Sequence, residues 1–532
     1  VTALNAPRMI DDTLPASSPL AAIARLTLAD DAATRRLGTD LALALRAGDV
    51  VALVGDLGAG KSTLARAAIR TLADDPGLDV PSPTYTLVQA YATTPPVAHF
   101  DLYRLAGDTE LDELGFEDSA RDGIALVEWP QNAPSALAAA TIVVELAMAP
   151  GGGRIAAISA IETAGARIRR TLDIREFLAG AGLAEAPRRR FTGDASTRRY
   201  ETVESNGETL VLMDAQRQPD GPPVQNGLPY SRIAHLAEDV APFVAVAQSL
   251  VAAGFAAPAI RQADLDNGLL LIDHLGSDTL LDDAGRPVAE RYEAAVACLA
   301  ELHTTPWSRE MPVADGIVHP MPAYDRGAMR IEVELIVDWY LPRAKGRPAT
   351  DNERSAFAYI WNGLFDALAT AETSLTLRDF HSPNIIWRPG ESGRQRIGLI
   401  DFQDAVIGPS AYDVASLAQD ARVDIPAELE ARLVAHYVAL RRAEGGFDAD
   451  SFQRAYAIMA AQRASKILGI FVRLLERDAK PQYLRHIPRI KAYLRRTLGH
   501  PALAALRALY QDWGVLDDDD APQPIRLSDK TP

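Results

Sequence analysis

The 532 residues carry a formal charge of −17, with 48% hydrophobic and 23% charged side chains. That length exceeds one ordinary core and calls for two or three domains, and the apolar fraction is ample to fill them. The acidic balance argues against a broad electrostatic footprint on nucleic acid, and the single cysteine, Cys298, excludes a disulfide framework and any cysteine-rich metal site.

Residues 1 to 20 are rich in Pro, Ser and Ala and are expected to lie loosely on the surface. They lack the basic-then-apolar layout of a signal peptide, and no run of eighteen apolar residues follows, so a cytoplasmic protein without membrane contact is expected. Ile23 to Leu28 alternates like a strand, Asp30 or Asp31 can cap a helix running to about Arg46, and Gly48 ends it. Val50 to Val54 then makes a short buried-strand signal, followed by Gly55-Asp56-Leu57-Gly58-Ala59-Gly60-Lys61-Ser62-Thr63, which fits G-x-x-x-x-G-K-[ST]. Gly55, Gly58 and Gly60 let backbone N–H groups close around phosphate oxygens, and the helix that follows points its positive end at them. Lys61 adds a point charge, and the Ser62 hydroxyl can ligate Mg²⁺. Farther on, Pro81 and Pro83 hold the chain extended and present Thr84, which can sense a γ-phosphate as switch loops do, or simply close a turn. Asp101 and Glu128 each end an apolar strand. Ligands bind outside the carboxyl ends of strands in an open α/β sheet, so these acids are placed to hold Mg²⁺ or orient the attacking water. Trp129, next to Glu128, is expected to sense bound nucleotide.

The segments GDLGAGKST, SPTYTLV, HFDLYRL, ELDELGFED and VEWP resemble the small ATPase family that serves bacterial synthesis of the threonylcarbamoyl modification on adenosine 37 of tRNA. The resemblance covers about residues 20 to 160. It implies that Lys61, Ser62, Asp101 and Glu128 serve ATP and Mg²⁺. It also implies that the other protein subunits of the transfer complex carry out the carbamoyl chemistry, tRNA being met only indirectly. No N-K-x-D segment is present to read guanine.

The APGGG loop at 149–153 joins two strand-like runs, and a short basic segment follows from Thr163 to Thr171, so the domain boundary is placed near Ala166, giving domains 1–165 and 166–532. Arg188-Arg189-Arg190 reads as a solvated or phosphate-facing turn. It leads into a Gly/Asp/Ser/Thr-rich turn and two strands, a hairpin that is either ordinary or a lid over phosphates. Ser196, Thr197, Arg198 and Arg199 are the candidate nucleotide contacts of that lid. Asp379 and Asn384 stand in D-x-x-x-x-N, and Asp401 follows one hairpin later. In kinase-type transfer the first acid accepts the hydroxyl proton, while the Asn and the second acid hold Mg²⁺.

GDASTRRY, LVLMDA, RDFHSPNI and LIDFQDAVIGPSAYDVASL resemble the aminoglycoside phosphotransferase and choline kinase superfamily, over about Asp173 to Trp513. Within it the likeness is to bacterial kinases that phosphorylate N-acetylmuramate and N-acetylglucosamine at the anomeric carbon in cell-wall recycling. The expected architecture is therefore an α/β P-loop NTPase domain followed by an α+β protein-kinase-like domain, both using ATP and Mg²⁺, the second with an amino-sugar substrate. Two departures stand out: Leu377 replaces a common histidine, and Met213 occupies the usual place of the phosphate-binding lysine. Arg198 and Arg199 are the expected substitutes for that lysine, and a catalytically weak nucleotide-binding scaffold is the rival reading. Arg463, Lys466, Arg473, Arg477 and Lys480 are expected to form a solvated face, one of which can meet the lactyl carboxylate of N-acetylmuramate. Cys298 and His303 are expected to be structural, and 517–520 an acidic tail.

Overall fold

A computed structural model describes residues 20–191 and 198–517. Ser196, Thr197 and most of the acidic tail lie outside the described residues. The chain forms two compact units. One runs to Asp214 and takes in Arg261–Asp264 and Leu269–Ile272; the other holds the rest.

The first unit opens with strand β1 (Ala21–Leu28) and helix α1 (Asp31–Ala44), whose first turn is capped by Asp30 Oδ1 accepting from Ala33 N at 2.7 Å. Strand β2 (Val50–Val54) leads through the glycine loop into α2 (Lys61–Leu72). Five further strands complete the sheet: β3 (Val88–Tyr91), β4 (Val97–Asp101), β5 (Ile124–Glu128), β6 (Ile142–Met148) and β7 (Arg154–Ala160). The order is β1-β7-β6-β2-β5-β4-β3. The central strands β6, β2, β5 and β4 run parallel, so their carboxyl ends gather along one edge. They are buried on both faces, which is why they read as apolar runs rather than alternating ones. Leu37, Leu41, Leu64 and Ile69 from α1 and α2 pack one face with Val51 and Leu53; Phe100, Phe116 and Val127 belong to the core on the other side.

Residues Glu162–Gly180 form one helix, α3, and the expected junction at 165/166 falls inside it. Its arginines explain the basic run. Arg167 donates twice to Asp49 at 2.7 Å, Arg170 to Asp214 at 2.6 Å, and Arg175 to Asp40 at 2.9 and 2.7 Å. The helix leads into strand β8 (Arg188–Phe191), then β9 (Arg199–Ser205), β10 (Glu208–Asp214), β11 (Ile260–Asp264) and β12 (Leu269–Asp273). Their order is β11-β12-β10-β9-β8. Leu210, Leu212, Leu269 and Leu271 pack with Ile174, Phe177 and Leu178 of α3. Arg188 is thus part of a strand and not of a solvated turn. Its side chain is fully buried, donating to Asp40 at 2.8 Å and Glu201 at 2.7 Å, and two carboxylates can hold a guanidinium inside a core where three consecutive arginines would otherwise stay in water.

In the second unit, α4 (Ala289–Thr304) carries Cys298, 4% exposed, its thiol pushed up to about 12 by burial. His303, on the same helix, shares a 2.8 Å hydrogen bond from Nδ1 with the Tyr437 hydroxyl, and both residues are buried. Helix α5 (Arg326–Leu335) brings in Glu332. Strand β13 (Thr373–Thr376) pairs with β16 (Val406–Pro409), and β14 (Ile385–Trp387) with β15 (Ile397–Leu399). Helix α6 (Ala411–Ala418) and the long α7 (Ala449–Glu476) pack beside them. The basic stretch on and after α7 is not uniformly solvated as expected. Arg463 and Lys466 face inward, and Arg477 is exposed, because Glu332 draws Lys466 into the core at 2.7 Å. Among the described residues no helix is long and apolar enough to cross a membrane.

Candidate active sites

The glycine loop depends on backbone shapes that side chains resist. Gly55 has φ +146°, and a Cβ there would sit 2.3 Å from the Leu146 carbonyl oxygen; Gly58 and Gly60 have φ +81° and +106°. Lys61 folds over the loop, donating to the Gly55 and Asp56 carbonyls at 2.8 and 3.0 Å, and its Nζ lies 3.8 Å from the centroid of the Trp129 ring. Burial pulls the Lys61 ammonium below its ordinary value, opposed by the carboxylates of Glu128, Asp101 and Asp56. Thr63 follows on the first turn of α2.

Because β4 and β5 are adjacent and parallel, Asp101 and Glu128 are register partners at the same sheet edge. Ser62 Oγ donates to Glu128 Oε2 at 2.9 Å, and Thr84 Oγ1 to Asp101 Oδ2 at 2.8 Å. The structure therefore brings together Lys61, Ser62, Thr84, Asp101, Glu128 and Trp129, which sequence reasoning singled out separately. It adds two others. His99 Nε2 lies 2.9 Å from Glu128 Oε1 in a fully buried pair, and Ser82 Oγ donates to Asp101 Oδ2 at 3.1 Å. His99 stands two residues before Asp101 on an apolar strand, a signal available in the sequence.

The second unit holds the other constellation. Leu377 to His381 link β13 to a short turn at Ser382–Asn384. Asn384 Nδ2 donates to Asp401 Oδ2 at 3.1 Å and to the Asp379 carbonyl at 3.0 Å, and Gln403 Nε2 donates to Asp401 Oδ1 at 3.0 Å. Arg378 and Asp401 both adopt positive φ, +68° and +60°, a strained backbone that surrounding contacts must hold. Asp413 supplies them on one side, accepting from Leu377 N at 2.6 Å and Arg378 N at 2.9 Å; Asp420 accepts from Ser382 N at 2.8 Å. The Arg378 guanidinium binds Glu332, which also takes Lys466 and Tyr324. Burial would raise the Asp379 carboxyl, but the positive charges of Lys466, His381, Arg463 and Arg378 outweigh it and hold it below its ordinary value. Asp413 and Glu332 escaped sequence reasoning because an acid in an apolar helix has no local signature of the loop it serves.

On β10, Leu210, Leu212 and Asp214 share a face with Val203, Glu201 and Arg199, their register partners on β9. Met213, 2% exposed, points to the opposite face with Val211. Arg199 is therefore on the side facing Arg46 and Arg190, away from Met213. The structure does not bring it to the place of the missing lysine. Arg198, next to the residues that are not described, has contacts of its own.

Residues 28–154 match the family described as threonylcarbamoyl adenosine biosynthesis protein TsaE, and residues 187–447 match the phosphotransferase enzyme family. The N-acetylmuramate/N-acetylglucosamine kinase of Caulobacter vibrioides is 34% identical over 345 residues, 63% of this chain and 94% of that protein. Its counterpart in Pseudomonas putida is 32% identical over 323 residues, 60% of this chain and 86% of that protein. The tRNA threonylcarbamoyladenosine biosynthesis protein TsaE of Rickettsia felis is 38% identical over 107 residues, 20% of this chain and 62% of that protein. The chain thus belongs to the phosphotransferase enzyme family, as a relative of the N-acetylmuramate/N-acetylglucosamine kinases, and carries a TsaE-family ATPase domain ahead of its kinase domain.

Proposed function

We propose that the chain is bifunctional: its first domain hydrolyses ATP in support of tRNA adenosine-37 threonylcarbamoylation by partner proteins, and its second phosphorylates N-acetylmuramate and N-acetylglucosamine at C1. In the first site Lys61 and the loop N–H groups bind phosphates, Thr84 senses the γ-phosphate, and Ser62, Asp101 and Glu128 hold Mg²⁺ and orient water. In the second, Asp379 accepts the proton of the sugar hydroxyl while Asn384 and Asp401 hold Mg²⁺. Both donor sets suit a hard cation, being hydroxyl, amide and carboxylate oxygens with one or two acids each, which leaves positions for phosphate and water. When bound, Mg²⁺ offsets negative charge on the phosphate oxygens.

The observation that carries the kinase reading is geometric: Asn384 bonds both the Asp379 carbonyl and the Asp401 carboxylate, which gathers the D-x-x-x-x-N pair and the second acid at one place. A carboxylate that stays ionised can receive a proton from a hydroxyl in line with the phosphate. The anomeric hydroxyl is the most acidic of the sugar's hydroxyls. A phosphate there blocks ring opening, so the product loses reducing reactivity and releases phosphate in mild acid. Recovery of a reducing, acid-stable sugar phosphate, or activity that survives Asp379→Asn, overturns the assignment. One observation favours a second reading: Met213 offers no charge where a phosphate-binding lysine usually stands, as in a weak nucleotide-binding scaffold. Absence of any phosphorylated sugar, with ATP still bound, selects that reading.

A further inference from the structure

Four arginines of the described residues are buried to 6% exposure or less: Arg188, Arg378, Arg441 and Arg463. Three of them hold carboxylates. Arg188 has Asp40 and Glu201, Arg378 has Glu332, and Arg441 has Glu372 at 2.7 Å. Arg463 is the exception: its Nε is buried with no hydrogen-bond partner, and among the described residues it makes no ion pair. A buried N–H without an acceptor is costly, and a guanidinium this little exposed with no carboxylate beside it lacks a counter-charge, while its terminal nitrogens, not among the buried unsatisfied atoms, remain open to one.

Its place in the fold says where an acceptor would come from. Arg463 lies on α7 between Gln462 and Lys466, which donate to Glu332 at 2.9 and 2.7 Å. Glu332 in turn binds Arg378, the residue before Asp379. This turn of α7 is thereby pinned beside the loop that carries the proposed base. His381, two residues after Asp379, is 8% exposed and its Nδ1 also lacks a partner. The charge of Arg463 acts on both Asp379 and His381. Two buried, unsatisfied polar groups thus flank the carboxylate to which a sugar hydroxyl must come.

We propose that Arg463 receives the carboxylate of an acidic acceptor sugar and so sets the preference between acid and neutral acceptors at this site. The inference rests on the sugar-kinase reading above and adds a recognition element to it. The planar fork of a guanidinium matches a carboxylate with two parallel hydrogen bonds, which a neutral sugar lacks. His381 is left to a neutral oxygen of the same ligand.

The test uses the full chain and ADP release with two matched pairs, N-acetylmuramate against N-acetylglucosamine and glucuronate against glucose. The quantity read is the acid-to-neutral ratio of kcat/KM within one preparation, so a loss of folded protein cancels. In Arg463→Gln the ratio should fall about 10- to 100-fold, chiefly through KM for the acid, and Arg463→Lys should restore part of it. An unchanged ratio, whether both sugars decline together or neither does, assigns Arg463 to the nucleotide phosphates or to packing and overturns the proposal. If both amino sugars are inert but glucuronate is used and its ratio collapses in Arg463→Gln, the amino-sugar assignment falls and the role of Arg463 stands. If no acid is turned over at all, the role falls too.

Discussion

Asp40 is the residue whose loss should be felt across the whole first unit. Its carboxylate, on α1, accepts two hydrogen bonds from Arg175 and one from Arg188, and it is 4% exposed. Asp40→Ala leaves Arg188 entirely out of water with Glu201 and the Thr171 carbonyl, and Arg175 with only the Ala184 and Ala186 carbonyls. Removing one partner of a buried pair costs about 3 to 5 kcal/mol, and because Glu201 still compensates Arg188 the lower end applies, about 3 kcal/mol. With a urea dependence of about 2 to 3 kcal/mol per molar, the midpoint of the first unit's unfolding should fall by about 1 M. Hydrogen exchange should show peptides of α1, α3 and the β8–β9 hairpin losing protection together, since all three are tied through this carboxylate. In Asp40→Ala with Arg188→Met the double variant should lose less than the sum of the two single losses, the Arg175–Asp40 pair being the part that Asp40→Ala still removes. A midpoint shift under about 0.3 M, or loss of protection confined to α1, would refute the view that one ion-pair network binds the phosphate-loop sheet to the second sheet of that unit.

Two further outcomes can be checked. Burial raises the Glu332 carboxyl, yet Lys466 and Arg378 together bring it down to about 2, from about 4.5 when unfolded. Its folded value is depressed, so its contribution to stability is full above pH 4.5 and is lost as pH falls toward 2. The stability gap between wild type and Glu332→Gln, about 3 kcal/mol or more at pH 7, should therefore narrow across that window in acid denaturation series; a gap that is constant with pH would contradict the ion-pair account. In the first site, nucleotide phosphates should draw Lys61 Nζ from its place over the Trp129 ring, so Mg-ADP should change the fluorescence of the wild type more than that of Trp129→Phe; an equal response in both proteins would place the signal elsewhere.

What the sequence made legible was local. Val50 to Val54, the glycine spacing and α2 form one covalent run whose geometry follows from its own residues, and they appear where the run places them. Asp101 and Glu128 were readable as strand ends because the two strands are apolar throughout; their being register partners needed the sheet order. Arg188 reads as surface because its counter-charges, Asp40 and Glu201, lie 148 and 13 residues away and only folding brings them to it. The same holds for Lys466, whose partner Glu332 is 134 residues distant, and for Asp413, which serves a loop 35 residues earlier. Charge periodicity cannot reveal such pairings, since a buried ion pair and a solvated helix face use the same residue types at the same spacing.

Cys298 has a use that its inertness creates. It is the chain's only cysteine, and its thiol is both buried and held protonated at neutral pH. Thiolate is the reacting species, so the native protein is chemically silent to maleimides and iodoacetamides. Any cysteine introduced on the surface becomes a unique address without removing the native one. A spin label or fluorophore set at Ala92 in the first unit or at Ser392 in the second, both exposed, would report on that unit alone, in a full-length chain whose core packing is untouched.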